Sequence, residues 1–272
     1  MSWRTLAAKD VRDAGRSKIT VLLTALSGVL YLGTVVVHDY IGDPSFPAFV
    51  EALAGVVAVV LPAVAILLAY KSVVDERESG ALSLTLSMPH SRKDVALGTF
   101  VGRTVVTVVP TLAALAVAGV VGAVRFDTAG ALWFPWFLLA TALYGTAFVG
   151  IAVGLSLSTT VDRWITVGGL GGYLLLVSFW DSLHSLVLVV LHRFDLRVLR
   201  DVPDWALFFR LLQPSESYDR LVRSGFDVDL AGLYVADGAP VYVGWWAALL
   251  VLCLWILAPL AVGYRRFRTA DL

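Results

Sequence analysis

The sequence predicts an all-α, polytopic membrane protein with six transmembrane helices, an N-terminal interfacial helix and a helical outer segment between helices 5 and 6. Composition is the first reason, because 58% of the 272 residues are hydrophobic and 15% are charged, whereas a soluble domain is about 25% charged. Hydropathy patterning is the second: six stretches approach the roughly 20 apolar residues that a helix needs to cross a bilayer. Water is therefore not the main solvent of this chain.

The six apolar stretches contain no charged side chain, and charged or polar segments separate them. They cover residues 19–37, 52–70, 104–124, 132–161, 164–180 and 241–264. An even number of spans places both termini on the same side of the membrane. The distribution of basic residues identifies that side, since Lys and Arg in short flanking segments prefer the cytoplasm.

Basic residues cluster on one predicted side of the membrane. The flank before the first span, the loop after the second span and the C-terminal tail are basic, whereas residues 38–51 contain no Lys or Arg. The basic residues are Arg4, Lys9, Arg12, Arg16, Lys18, Lys71, Arg77, Arg92, Lys93, Arg103, Arg265, Arg266 and Arg268. We therefore predict that both termini are cytoplasmic. The segment 181–240 then lies outside, and its six arginines do not argue against this, because loops of that length cross largely regardless of charge.

Residues 1–18 are predicted to form a helix that lies in the membrane surface. Apolar side chains recur there at helical spacing, and bases occupy the other faces. The apolar positions are Trp3, Ala7, Val11 and Ala14, and the bases are Arg4, Arg12 and Arg16. A solvated basic tail is the alternative interpretation.

The outer segment, residues 181–240, begins with an apolar run that is too short to span the membrane alone. Residues 183–191 either extend the fifth helix or dip into the membrane and return. Pro203, Pro214 and Pro240 divide the remainder into short helices or turns.

Glycine pairs in or just before the spans, and prolines inside them, indicate where helices pack closely or bend. A spacing of three intervening residues lets two helix backbones approach in lipid, although such pairs more often serve packing than oligomerisation. Proline removes a backbone hydrogen bond and kinks a helix. The pairs are Gly98 with Gly102, Gly150 with Gly154 and Gly168 with Gly172, and the prolines are Pro62, Pro110 and Pro259.

Charge and motif content exclude several classes of function. The formal net charge is zero, which argues against a nucleic-acid partner, and the single cysteine, Cys253, cannot build a disulfide framework or a thiolate metal cluster. The sequence contains no G-x-x-x-x-G-K-[ST] phosphate loop, no H-E-x-x-H motif and no G-x-S-x-G motif. We therefore expect neither enzymatic activity nor a cofactor in this chain.

A secondary transporter is the nearest alternative, since it too contains many spans. Ion coupling normally requires ionisable side chains within the membrane, and the six predicted spans contain none. Asp181, His184 and His192 at an outer helix end come closest to a metal or proton site. Polar residues at a membrane boundary explain them better.

The loop between the second and third spans carries the most specific pattern. It reads Asp75-Glu76-Arg77-Glu78-Ser79-Gly80-Ala81-Leu82 and then Ser87-Met88-Pro89-His90-Ser91-Arg92-Lys93-Asp94. This order resembles the cytoplasmic loop of ABC-2 type permeases, the membrane-spanning subunits of ABC transporters, in which E-R-E-x-G-T-L precedes a leucine-rich helix and a P-x-S-R turn. Ala81 replaces the usual Thr, and Thr99 replaces the usual Lys after Gly98. Residues 16–18, 214–218 and 264–268 extend the resemblance along the chain.

The resemblance implies one ABC-2 type transmembrane domain, residues 1–272, in the plasma membrane of a prokaryote. It also implies a separate ABC ATPase subunit that binds ATP and magnesium, a second permease copy or homologue, and export as the direction of transport. Residues 71–98 would be the coupling loop. The residues expected to couple the ATPase are Asp75, Glu76, Arg77, Glu78, Ser79, Gly80, Leu82, Pro89, Ser91 and Arg92.

The loop also has the physical features of a docking element. Val74, Glu78, Leu82 and Thr85 follow one helical stripe, which predicts an apolar and acidic face able to enter a cleft on a partner. Ser91 with Asp94 predicts a capping box at the start of the third span. An ordinary solvated loop, and a non-transporting structural subunit, remain the alternatives, and the substrate class is open.

Overall fold

The computed structural model describes residues 3–41, 45–87, 91–126, 128, 130–159, 162–199, 202–236 and 239–270, with the backbone alone described at residues 83, 84, 86 and 162. Within these ranges the chain forms helices and turns without a strand, which confirms the predicted all-α class. The α-helices are α1 (Trp3–Arg16), α2 (Lys18–Ile41), α3 (Phe46–Ala69), α4 (Val74–Glu78), α5 (Ala81–Ser87), α6 (Arg92–Arg125), α7 (Phe134–Ser158), α8 (Asp162–Tyr173), α9 (Trp180–Leu191), α10 (Asp204–Leu211), α11 (Pro214–Arg223) and α12 (Trp245–Thr269).

Six helical segments of the described chain are long and apolar enough to cross a membrane, as predicted. They are Lys18–Ile41, Phe46–Glu78, Arg92–Arg125, Ala131–Ser158, Arg163–Leu191 and Trp245–Thr269. The third is much longer than the predicted 104–124, because a helix continues beyond the apolar run wherever its charged side chains find partners or water. The sixth begins later than residue 241, since a short 3₁₀ turn covers Val241–Val243.

Helix α7 lies at the centre of the bundle and packs against α3, α6 and α12. In an 18-residue apolar stretch of its segment, 61% of the residues are buried within the chain, against 17% for the corresponding stretch of Arg163–Leu191. The pair Gly150 and Gly154 permits the close approach of α12, since a Cβ at Gly154 would lie 2.4 Å from the carbonyl oxygen of Pro259. This glycine pair serves packing within the chain.

Two carbonyl groups at irregular points of the spans accept hydrogen bonds from side chains elsewhere in the chain. Pro62 cannot donate to the carbonyl of Ala58, and the Tyr144 hydroxyl donates to that oxygen at 2.8 Å. In the π-helical turn Leu174–Phe179, the carbonyl of Leu176 accepts from the Gln213 amide at 2.8 Å. These bonds connect α3 to α7 and the π-helical turn to the outer segment.

The outer segment starts as an extension of the fifth span. Helix α9 follows the π-helical turn directly, so residues 183–191 lengthen that helix and do not form a separate re-entrant loop. Further along, α11 packs back onto α7 and α12. Its Tyr218 is fully buried, and the ring stacks on Tyr144 with centroids 4.6 Å apart. The predicted short helices after Pro203 and Pro214 are both present.

Helix α1 packs on the chain itself along the first half of α6. Ala7 and Ala14, which belong to the stripe predicted to face the membrane, are buried within the protein. Glycines in α6 create the space, since a Cβ at Gly98 would lie 2.7 Å from the Leu6 Cβ and one at Gly102 would lie 2.5 Å from Asp10 Oδ2. The membrane-surface assignment of α1 stays a prediction.

We expect Gly102→Leu to displace α1 from α6. Overpacking of this kind costs about 1 to 3 kcal/mol, so trypsin should cut at the exposed Arg12 and Arg16 at least about fivefold faster than in the parent protein. Limited proteolysis of the purified chain measures the rate. Gly55→Leu is the control, because no atom lies within 4 Å of its added Cβ. Equal rates for both variants would show that Gly102 does not seat α1.

Candidate functional site

The α3–α6 loop, residues 70–91, holds the residues expected to couple an ATPase, apart from Arg92, which begins α6. It contains α4 and α5, which are separated by a turn at Gly80 with φ 75°. Residues with a Cβ are strained at such an angle. The prediction of a single helical stripe from Val74 to Thr85 is therefore wrong, because the right-handed helix is interrupted at Gly80 between α4 and α5.

The apolar side of the loop faces the rest of the chain. Val74, Leu82 and Thr85 are 0%, 1% and 6% exposed, so they are not available to a cleft on another protein, and that part of the prediction is wrong as well. Asp75, Glu78, Ser79, Gly80 and Ser87 are exposed instead. The surface that the described loop offers is acidic and polar.

Hydrogen bonds at the back of the loop connect it to α6 and α7. The backbone N–H of Val73 donates to Ser156 Oγ of α7 at 3.0 Å. Just before it, Arg103 of α6 donates to the carbonyl of Leu68 at 2.7 Å. The Arg103 bond satisfies a carbonyl that the end of α3 leaves without a helical partner, and the Ser156 bond satisfies a buried N–H in the turn that follows α3. The loop is consequently fixed at its first turn.

Ion pairs join the loop and α6 to α1. Lys9 Nζ lies 3.4 Å from Glu76 Oε1, and Arg103 Nη2 lies 2.9 Å from Asp10 Oδ1. Burial raises the pKa of Asp10 to about 6; the charge of Arg103 opposes this shift and that of Glu76 adds to it. Removal of either partner would leave the other as an unpaired buried charge, which is destabilising. The pair of Asp10 and Arg103 therefore helps to hold α1 against α6.

The other side of the loop is connected to the end of α12. The Arg92 guanidinium donates to the carbonyls of Phe267, Arg268 and Ala270 at 2.5, 3.2 and 2.8 Å. It thereby satisfies the last carbonyls of α12 and opposes the negative end of the helix dipole. The Phe267 ring is fully buried, with Arg92 and Arg77 5.6 and 5.7 Å from its centroid. Arg77 is thus packed inward.

The start of α6 is capped as predicted. Ser91 Oγ accepts from the backbone N–H of Asp94 at 3.1 Å, and Asp94 Oδ2 accepts from the backbone N–H of Ser91 at 3.0 Å. This reciprocal box fixes the direction in which the chain enters the third span. Pro89 lies outside the described residues.

The sequence analysis did not assign several residues of this cluster to the site. Lys9, Asp10, Arg103, Ser156 and Phe267 all contact the loop or its supports. Arg103 did carry a signal, since it is a lone base beside an apolar run, and Asp10 is an acid on a basic helix. Their complementary charges could have indicated a pair, whereas Ser156 and Phe267 offer no such signal.

The outer residues considered for a metal or proton site do not come together. Asp181 pairs with Arg210 at 3.4 Å, the His184 ring lies 3.0 Å from the carbonyl of Ala206, and His192 bonds to the carbonyl of Leu188 at 2.9 Å. Across the described ranges, no three His, Cys, Asp or Glu side chains form a group able to hold a metal ion. These residues serve local packing.

Comparisons with known proteins agree with this architecture. The model of the ABC-2 family transporter protein matches residues 4–272. Two relatives are each 32% identical to this chain: the probable ABC transporter permease protein NosY of Pseudomonas aeruginosa, with 97% of both chains covered, and that of Stutzerimonas stutzeri, with 97% of this chain and 96% of the relative covered. The chain belongs to the ABC-2 family of transporter proteins, as the loop pattern predicted.

Proposed function

We propose that this chain forms the substrate path of an ABC exporter and that a separate ATPase drives it by docking on the exposed face of the α3–α6 loop. One observation carries the proposal. The loop presents Asp75 and Glu78 outward, while its back is bonded to α1, α7 and α12. A docking element needs both an accessible face and a stiff connection to the membrane helices.

The stiff connection follows from the bonds at the back of the loop. A push on α4 reaches α7 through Val73 and Ser156, and it reaches α1 through Glu76 and Lys9. Arg77 passes it to Phe267 at the end of α12. A solvated loop without such bonds would absorb the push by bending.

The exposed acids also indicate what the partner surface contains. Asp75 and Glu78 would pair with basic side chains on the ATPase, and such complementarity fixes the register of a complex. ATP and magnesium would bind in that partner, since this sequence has no phosphate loop. Two permease chains with two ATPases would complete the transporter.

We further propose that both termini and the α3–α6 loop face the cytoplasm of a prokaryotic cell. The support is the asymmetry of short basic flanks. A secondary transporter and a structural subunit are the competing functions. Dependence of transport on an ATPase, together with assembly through this loop, separates the proposal from both.

The orientation is tested with single cysteines in a Cys253→Ala background. We expect Ser87→Cys to react with an impermeant maleimide only in inverted vesicles, and Ser45→Cys and Asp227→Cys to react in intact cells. Ser87 and Asp227 are exposed, whereas Ser217 in the same outer segment is fully buried and unsuited to labelling. Labelling of Ser87→Cys from outside alone would show that the proposed orientation is wrong.

The docking face is tested by reversing its exposed charges. Asp75→Lys and Glu78→Lys should weaken co-purification of the cognate ATPase by at least about tenfold, since loss of a buried interfacial charge pair costs about 2 to 5 kcal/mol. Stimulated ATP turnover and transport should fall with it. Glu76 is left unchanged because its reversal would also break the pair with Lys9.

Asp227→Lys and Asp229→Lys in the outer segment are the matched controls, as both acids are exposed.

Gly80→Pro adds an independent variant, because Pro cannot adopt the positive φ of this turn. The membrane spans should insert normally while coupling is lost. The docking face lies elsewhere if the loop variants keep assembly and coupled turnover.

A further inference from the structure

A groove runs along the bundle between α6 and α12 at the end that carries the α3–α6 loop. Its volume is about 300 Å³. Ala96, Leu97 and Phe100 line one wall, and Leu257, Leu260 and Ala261 line the other. On each helix these positions recur at a spacing of one turn, so each wall is a continuous apolar stripe.

The helix packing explains why the groove is open. Helices α6 and α12 both lie against α7, whose Leu157 forms the floor, and they contact each other only sparsely. Arg92 joins the end of α12 to the start of α6 through three carbonyl bonds. The two walls are therefore held together at one end and stand apart further along.

The joined end of the groove is polar and cationic. Lys93 and Tyr264 line it there. Arg265 and Arg268 follow Tyr264 within about one helical turn, and both are exposed, as is Lys93. Within the described parts of the chain, no carboxylate forms an ion pair with Lys93, Arg265 or Arg268. Cationic groups thus stand at the mouth of an apolar groove.

We propose that this groove binds an anionic phospholipid, with one acyl chain along the apolar walls and the phosphate at Lys93 and Tyr264. The length fits one leaflet: Lys93 to Phe100 spans about 10 Å of helix, within half of the roughly 30 Å hydrocarbon layer. Basic pockets between membrane helices bind anionic head groups in this manner. The site goes beyond the proposed function, which assigns no role to lipid here.

The position beside Arg92 gives such a lipid a structural consequence. Its acyl chain would fill the gap between α6 and α12 next to the bonds that join them. An anionic head group would also offset the repulsion among Lys93, Arg265 and Arg268. The bound lipid would therefore stabilise the end of α12, and with it Phe267 behind the loop.

Native mass spectrometry of the purified full-length permease tests the site, with phosphatidylglycerol and phosphatidylcholine of identical acyl chains as probes. We expect tighter binding of phosphatidylglycerol to the parent protein. Lys93→Gln should weaken that binding about fivefold, the effect of one base near an anionic surface, and leave phosphatidylcholine unchanged. Leu97→Trp should fill the groove and weaken both lipids. If Leu97→Trp does not fold, Leu257→Trp blocks the opposite wall.

Two matched variants serve as controls. Lys18→Gln removes an exposed base at the start of α2, and Val117→Trp places the same Trp side chain at an exposed position of α6 outside the groove. Unchanged binding in Leu97→Trp and Leu257→Trp would overturn the site. So would an equal loss of phosphatidylglycerol in Lys18→Gln and Lys93→Gln, which would indicate general surface charge. No ATPase takes part, so failure here is separable from failure of the proposed function.

Discussion

Backbone groups that lose their helical partners inside a membrane have no water to bond to, and this constraint organises the structure. Each unsatisfied group in hydrocarbon costs several kcal/mol, so side chains of neighbouring helices must replace the missing partner. Tyr144 does this for the carbonyl freed by Pro62. Gln213 does it for Leu176 in the π-helical turn. The outer segment is therefore bonded to the bundle through Gln213, the residue directly before α11.

The same constraint builds the candidate site at the other end. Arg103 bonds the last turn of α3, Ser156 bonds the first turn of the α3–α6 loop, and Arg92 bonds the end of α12. These bonds compensate helix ends at the membrane boundary. They also leave the loop with a fixed back and a free acidic face. Under the proposed function, satisfaction of the backbone and transmission of force would be two consequences of one set of contacts.

Local signals in the sequence predicted the spans, the capping box at Ser91 and the family. Hydropathy is read from a short stretch of neighbouring residues, and the capping box involves only residues 91 to 94. Contacts between distant residues were not predicted: Arg92 and Phe267 lie 175 positions apart, and nothing near either residue indicates the other. The break at Gly80 was missed because a periodic pattern does not report a backbone angle. The apolar stripe of α1 was recognised, but Ala7 pairs with a glycine-rich face of α6 that periodicity alone does not reveal.

The central claim is that the α3–α6 loop and the end of α12 form one mechanical unit through Arg92 and Phe267. Hydrogen exchange of the purified permease tests it directly, with Arg92→Gln compared to Lys18→Gln, which removes an exposed base at the start of α2. We predict that exchange rises together in residues 71–80 and 264–270 of Arg92→Gln and stays unchanged in residues 71–80 of Lys18→Gln. If Arg92→Gln accelerates exchange in residues 264–270 alone, the loop moves independently of α12 and the claim is wrong.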